Sequence, residues 1–255
     1  MKQYEEIYLE LLKEFLNDVK DYKDKVDMSG LFLPHTLSKY SSAKTKYFYC
    51  GQDTYEWTNF SKMIKYYENN DITGYLDENN SWPSVDEIIE YSNNKEGNFW
   101  TLIIRLHIYL HRKKIINVNT ITERDKVLLE EIGWGNINSI EIPKTLQNRE
   151  LWESLDKDCY WDIKEKSRAF DSIKHIMDLY NPDYIFIFNW AESKEEDVFK
   201  GLRPNWNKDE YIEGIISTYC FDDYKTKLIW CLHPNSLRYK SMNINELIEE
   251  IDKRV

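Results

Sequence analysis

Tyr184-Ile185-Phe186-Ile187-Phe188 is an unbroken apolar run of strand length. A run with no polar alternation suits a strand buried on both faces, as in a parallel sheet covered by helices. Just before it, residues 162–179 carry helical periodicity and stop near Asn181-Pro182. Further out, residues 44–50 and 225–232 read as a first and a last strand. Residues 99–111 and 122–132 read as helices, residues 137–142 as a strand and residues 244–251 as a terminal helix. Helices therefore alternate with strands. The expected fold class is α/β, a three-layer α/β/α sandwich with a short, mostly parallel central sheet.

The remaining segments fit around that frame. Tyr4, Ile7, Tyr8, Leu11, Leu12, Phe15, Leu16 and Val19 form a helical stripe at the N-terminus. Residues 67–83 are rich in Asn, Asp and Gly and read as a long irregular connection. Ser84, with Glu87 three residues on, reads as the cap of a helix start. No linker, repeat or low-complexity segment is evident, so one domain is expected over residues 1–255, with an N-terminal helical extension.

Two motifs follow apolar strands. Gly51-Gln52-Asp53-Thr54-Tyr55-Glu56 comes after Tyr47-Phe48-Tyr49-Cys50, and His233-Pro234-Asn235-Ser236-Leu237-Arg238 comes after Leu228-Ile229-Trp230-Cys231-Leu232. Open α/β sheets place ligand chemistry just past strand C-termini. A carboxylate from one motif and an imidazole from the other suit one bound molecule.

Composition narrows the classes. With 42% hydrophobic and 15% aromatic residues in 255 positions, the chain has enough apolar volume for a sizeable core. A formal net charge of −11 argues against a generalised nucleic-acid binder unless basic residues cluster on one face. Cys50, Cys159, Cys220 and Cys231 form no C-x-x-C pair, and Cys50 and Cys231 fall inside strands as small hydrophobes. No apolar run reaches transmembrane length and the N-terminus does not read as a signal peptide, so a cytoplasmic location and no membrane partner are expected. His107 and His111 lie one turn apart on a helix, as metal ligands can, but Ile108 stands where a zinc-protease motif needs Glu. They read as packed histidines, and no metal or cofactor is expected. Gly-rich phosphate loops, a nucleophile elbow and a dinucleotide fingerprint are all lacking.

In these two motifs, and in their order, the chain resembles the uracil-DNA glycosylase superfamily. That family has Gly-Gln-Asp-Pro-Tyr-His after its first strand and His-Pro-Ser-Pro-Leu-Ser after its last. Trp134-Gly135-Asn136-Ile137 is similar to its strand bearing a base-reading Asn, with Asn138 the alternative two residues on. Ile185-Phe186-Ile187-Phe188-Asn189-Trp190 is similar to a further strand ending in Trp. The resemblance spans roughly residues 30–245 in element order.

It implies a DNA partner and base excision in DNA repair, without a cofactor. A flipped nucleotide would enter the crevice, where Asp53 would orient or activate water at the sugar C1′. His233 would donate a hydrogen bond to the departing base. Gln52 and Asn136 would bind substrate, Tyr55 would crowd the base C5 position, and Tyr66 or Phe60 would stack. Leu237 would wedge into the duplex, with Arg238 and Lys240 meeting phosphates. Thr54, Glu56, Asn235, Ser236 and Arg238 depart from the family pattern. Glu56 adds a carboxylate beside Asp53, which opposes water activation. The resemblance thus admits either a divergent glycosylase for uracil or another modified base, or a catalytically silent relative that binds nucleic acid, a nucleotide or a protein.

Overall fold

The computed structural model describes residues 2–23, 25–26, 28–51, 59–80, 83–93, 98–140, 153, 156–170, 173–189 and 198–255. The chain gathers into two compact units. One comprises Met1–Leu33, Asp53–Trp82 and Asn136–His175; the other comprises Pro34–Gln52, Pro83–Gly135 and Ile176–Val255.

The second unit holds a mixed seven-stranded sheet, apart from the last residue of β3, Asn136, which counts with the first unit. Its strands are β1 (His35–Thr36), β2 (Tyr47–Gly51), β3 (Gly133–Asn136), β4 (Tyr184–Phe188), β5 (Pro204–Trp206), β6 (Ile216–Phe221) and β7 (Tyr224–Cys231), in the order β1-β3-β2-β4-β7-β6-β5. β4 pairs in parallel with β2 on one side and with β7 on the other. The flanking pairs β1/β3, β6/β7 and β5/β6 are antiparallel. A parallel strand in the sheet's interior must be apolar on both faces. Accordingly Ile185, Phe186, Ile187 and Phe188 are all buried.

Side-chain alternation sorts the aromatics onto two faces. Tyr47 and Tyr49 of β2 stand beside Tyr184 and Phe186 of β4, and Tyr49 stacks on Phe186 at 5.2 Å between centroids. This face packs against helix α5 (Asn98–Arg112), whose His107 meets both tyrosines edge-on and whose Phe99 meets Phe188. On the other face Phe48 stacks on Tyr180 and meets Tyr40 edge-on. Gly133 of β3 is required there, because a Cβ at that position would lie 2.4 Å from the Phe48 ring. Helix α4 (Val85–Asn93) opens on the capping box read from the sequence: Ser84 N–H donates to Glu87, and Glu87 N–H donates to Ser84 Oγ. α6 (Glu123–Leu129) opens on a second box between Thr122 and Asp125, and α9 (Ile244–Asp252) on a third between Asn243 and Glu246.

The first unit is helical. α1 (Lys2–Val19) buries Tyr8, Leu12, Phe15, Leu16 and Val19 of the expected stripe; Leu11 is half-buried, and the side chains of Tyr4 and Ile7 lie outside the described residues. α2 (Phe60–Glu68) is capped by Asn59, whose side chain accepts from the N–H groups of Ser61 and Lys62. α3 (Ile72–Asn80) occupies most of the stretch expected to be irregular. Ile72, Tyr75 and Leu76 fall at i, i+3 and i+4 and are buried, so packing overrides the Asn and Gly content. The helix expected over 162–179 is instead two helices, α7 (Lys157–Ser167) in the first unit and α8 (Ile173–Tyr180), which belongs to the second unit from Ile176 on, with a 3-10 turn at Arg168–Phe170. Asn181, in the left-handed region at φ 43°, closes α8 before Pro182.

Two further expectations need correcting. The strand expected over 137–142 lies earlier, at Gly133–Asn136; residues 137–140 are not strand, and 141–142 fall outside the described residues. The glycines that resemble strand breakers are what allow β3 its close approach to Phe48. β1, β5 and β6 have no counterpart among the expected strands, and β5 and β6 make one flank of the sheet antiparallel. Among the described residues no helix is long and apolar enough to cross a membrane.

Candidate functional site

β2, β4 and β7 run in the same direction, so their C-terminal ends share one edge of the sheet. Cys50 of β2 and Trp230 of β7 both align with Ile187 of β4. The two motif strands are thus two inter-strand spacings apart, about 10 Å. β2 ends at the buried Gly51. Gln52, Asp53 and Tyr55, with Thr54 and Glu56, lie outside the described residues.

At the end of β7, Leu232 N–H donates to the Ile215 carbonyl and the chain turns into a 3-10 helix, Pro234–Lys240. His233 is the N-cap, and its Nδ1 accepts from Asn235 N–H at 3.2 Å. Proline in the first turn needs no N–H partner, which suits the start of a helix. A Nδ1 that accepts carries no proton, so the neutral ring holds its proton on Nε2. His233 is half-buried. The cap therefore fixes both the orientation of the ring and its donor nitrogen.

Asn189 directly follows β4, between the two motif strands, and sequence reasoning passed over it as a site residue. It is 5% exposed, and its Nδ2 is buried without a hydrogen-bond partner among the described residues. An unmet buried amide donor costs about 1–3 kcal/mol, which a purely structural position has reason to avoid. The sequence signal was only a polar residue ending an apolar strand.

Asn136 ends β3 and is 7% exposed. Leu237 is 2% exposed, packed within the 3-10 helix, so as folded it presents no wedge to solvent. The exposed aromatic on that helix is Tyr239, at 74%. The Arg238 guanidinium lies 4.7 Å from the Tyr239 ring centroid and donates to its hydroxyl. Tyr239 thus stands between two exposed basic residues, Arg238 and Lys240. Of the two stacking candidates in the other unit, Phe60 is fully buried and Tyr66 donates its hydroxyl to Glu78.

His107 and His111 are joined by Glu131, and the possible ligand atoms of the three lie within 4.8 Å of one another. His107 has both ring nitrogens engaged: Nε2 faces the Leu128 carbonyl and Nδ1 faces the Tyr49 hydroxyl, each at 2.9 Å. The carbonyl can only accept, so Nε2 carries the proton and Nδ1 accepts from Tyr49. Burial, reinforced by His111, pushes the His107 pKa down to about 3. A metal ion here would have to displace one of these two partners. Burial raises the Cys50 and Cys231 thiols well above their usual range, as for inert core cysteines.

Comparison with family models, with curated proteins and with solved structures returns no match.

Proposed function

We propose that the chain is a divergent DNA base glycosylase with the three-layer α/β/α architecture of the uracil-DNA glycosylase superfamily, acting in the cytoplasm on uracil or another modified base. One observation carries the reading: the strands that lead into the two motifs flank β4 in parallel and end at the same sheet edge. Their motifs are 180 positions apart in sequence (233 − 53), so this common edge is not a consequence of chain proximity.

The proposed chemistry uses that edge. Asp53 orients water for attack at C1′ and takes its proton, and Gln52 and Tyr55 bind substrate. As the N-glycosidic bond breaks, its electron pair passes to the base. The Nε2–H of His233, held in place by the Asn235 N–H bond, donates to that base. A preorganised donor of this kind is worth about 10²–10³ in rate. Asn136 keeps the base-reading role implied by motif order, and Asn189 adds an unmatched amide donor. Since Leu237 is buried, Tyr239 takes over contact with the unstacked strand, flanked by Arg238 and Lys240.

The buried Leu237 also favours a second reading, a silent relative that binds DNA or a nucleotide without cutting a glycosidic bond. Incubating the protein with oligonucleotides bearing uracil and a panel of modified bases separates the two. Free base and alkali-labile abasic sites are the expected products. Well-folded protein that binds the panel and releases nothing supports the silent relative.

A further inference from the structure

Among the described residues Arg105 is a cation without a counter-charge. It projects from α5, where one guanidinium nitrogen donates to the neutral side chain of Asn245. Its Nε is buried and has no hydrogen-bond partner among the described residues. Among the described residues no carboxylate pairs with it, and burial alone depresses its pKa. Leaving one guanidinium N–H unmet costs more than leaving a neutral amide unmet, and charges taken from water are normally paired.

This group lines a cavity of about 440 Å³, within the usual size for a small-molecule site, together with Thr101, Ile115, Ile116, Asn117 and Val118. The oxygens of the two neutral polar side chains are engaged. Thr101 Oγ1 donates to the Ser92 carbonyl at 2.9 Å, and Asn117 Oδ1 accepts from Asn119 N–H at 3.0 Å. What the cavity offers a ligand is one positive fork beside three branched aliphatic side chains.

We propose that this cavity is a binding site for a small organic anion, a carboxylate or phosphate monoester with an apolar body. The anionic head pairs with the Arg105 guanidinium through the unmet Nε–H. The apolar body covers Ile115, Ile116 and Val118. The site does not depend on the glycosylase reading, because its test reads binding and not base release.

The test is calorimetric titration and thermal unfolding at fixed ionic strength, with benzoate, phenyl phosphate and neutral benzyl alcohol as probes. At least one of the two anions should bind saturably and raise Tm; whichever binds identifies carboxylate or phosphate as the preferred head. Arg105→Gln should weaken that binding at least tenfold while leaving the unliganded Tm no lower than wild type. Ile116→Trp, which fills the cavity and keeps the charge, should also abolish it. No saturable binding of either anion, equal binding of benzyl alcohol, or undiminished binding to Arg105→Gln would overturn the proposal.

Discussion

The backbone N–H of Asn235 donates to Nδ1 of His233 at 3.2 Å, so a short-range helix cap decides which ring nitrogen carries the proton. The neutral ring should be the Nε2–H tautomer. Long-range proton–nitrogen correlation spectra of the imidazole above pH 7.5 should show a protonated Nε2 and a bare Nδ1. A protonated Nδ1 would remove the cap and, with it, the donor role assigned to Nε2.

Asn189 holds a buried amide donor with no acceptor among the described residues. Replacing it with Leu removes the unmet group at similar volume. Asn189→Leu should therefore be at least as stable as wild type, by up to about 1 kcal/mol in urea unfolding. Ligand binding at the edge should weaken at the same time. Destabilisation by 2 kcal/mol or more would mean that the amide has a structural partner and no ligand role.

His107 is kept neutral by burial, with its pKa pushed down to about 3, while the unfolded chain titrates near 6.5. Its contribution to stability is complete above about pH 6.5 and is lost as pH falls from there towards 3, because only the unfolded state gains the proton. Between pH 7 and 5 the loss should be about 2 kcal/mol. His107→Gln can still accept from Tyr49 and donate to Leu128, and should lack that slope. Matching pH profiles for the two proteins would show that His107 protonates freely in the folded state.

Tyr239 is exposed between two basic side chains. Its ring is available to stack on an unpaired base, a contact worth about 1–3 kcal/mol. Tyr239→Ala should weaken binding of single-stranded or abasic DNA by that amount and leave Tm unchanged. Fluorescence anisotropy with a labelled oligonucleotide measures it; unchanged affinity would place the DNA path elsewhere.

The sheet's centre was legible because burial on both faces leaves a continuous apolar run, and Tyr184–Phe188 matches the strand residue for residue. The β6/β7 hairpin carries its own signal, a β-branched and aromatic run before the two-residue loop Asp222-Asp223, but that loop lacks the glycine or asparagine that marks a tight hairpin. α3 was missed because Asn and Gly weigh against a helix locally, whereas its stability comes from burying Ile72, Tyr75 and Leu76. The His233 motif was legible through its order and spacing. The unmet donors of Asn189 and Arg105 were not, since a missing partner is a property of the folded neighbourhood and leaves no mark in the sequence. Tyr239 took the exposed place expected of Leu237 because a 3-10 helix, with about three residues per turn, turned Leu237 inward.

Single-turnover release of base from a substrate oligonucleotide tests the central proposal most directly, comparing wild type with Asp53→Asn and His233→Ala at matched Tm. Each variant should lose at least 10²-fold in rate, in line with the removal of a preorganised catalytic group. If both variants release base at the wild-type rate, or folded wild type releases none across the panel, the sheet edge is not a glycosylase active site.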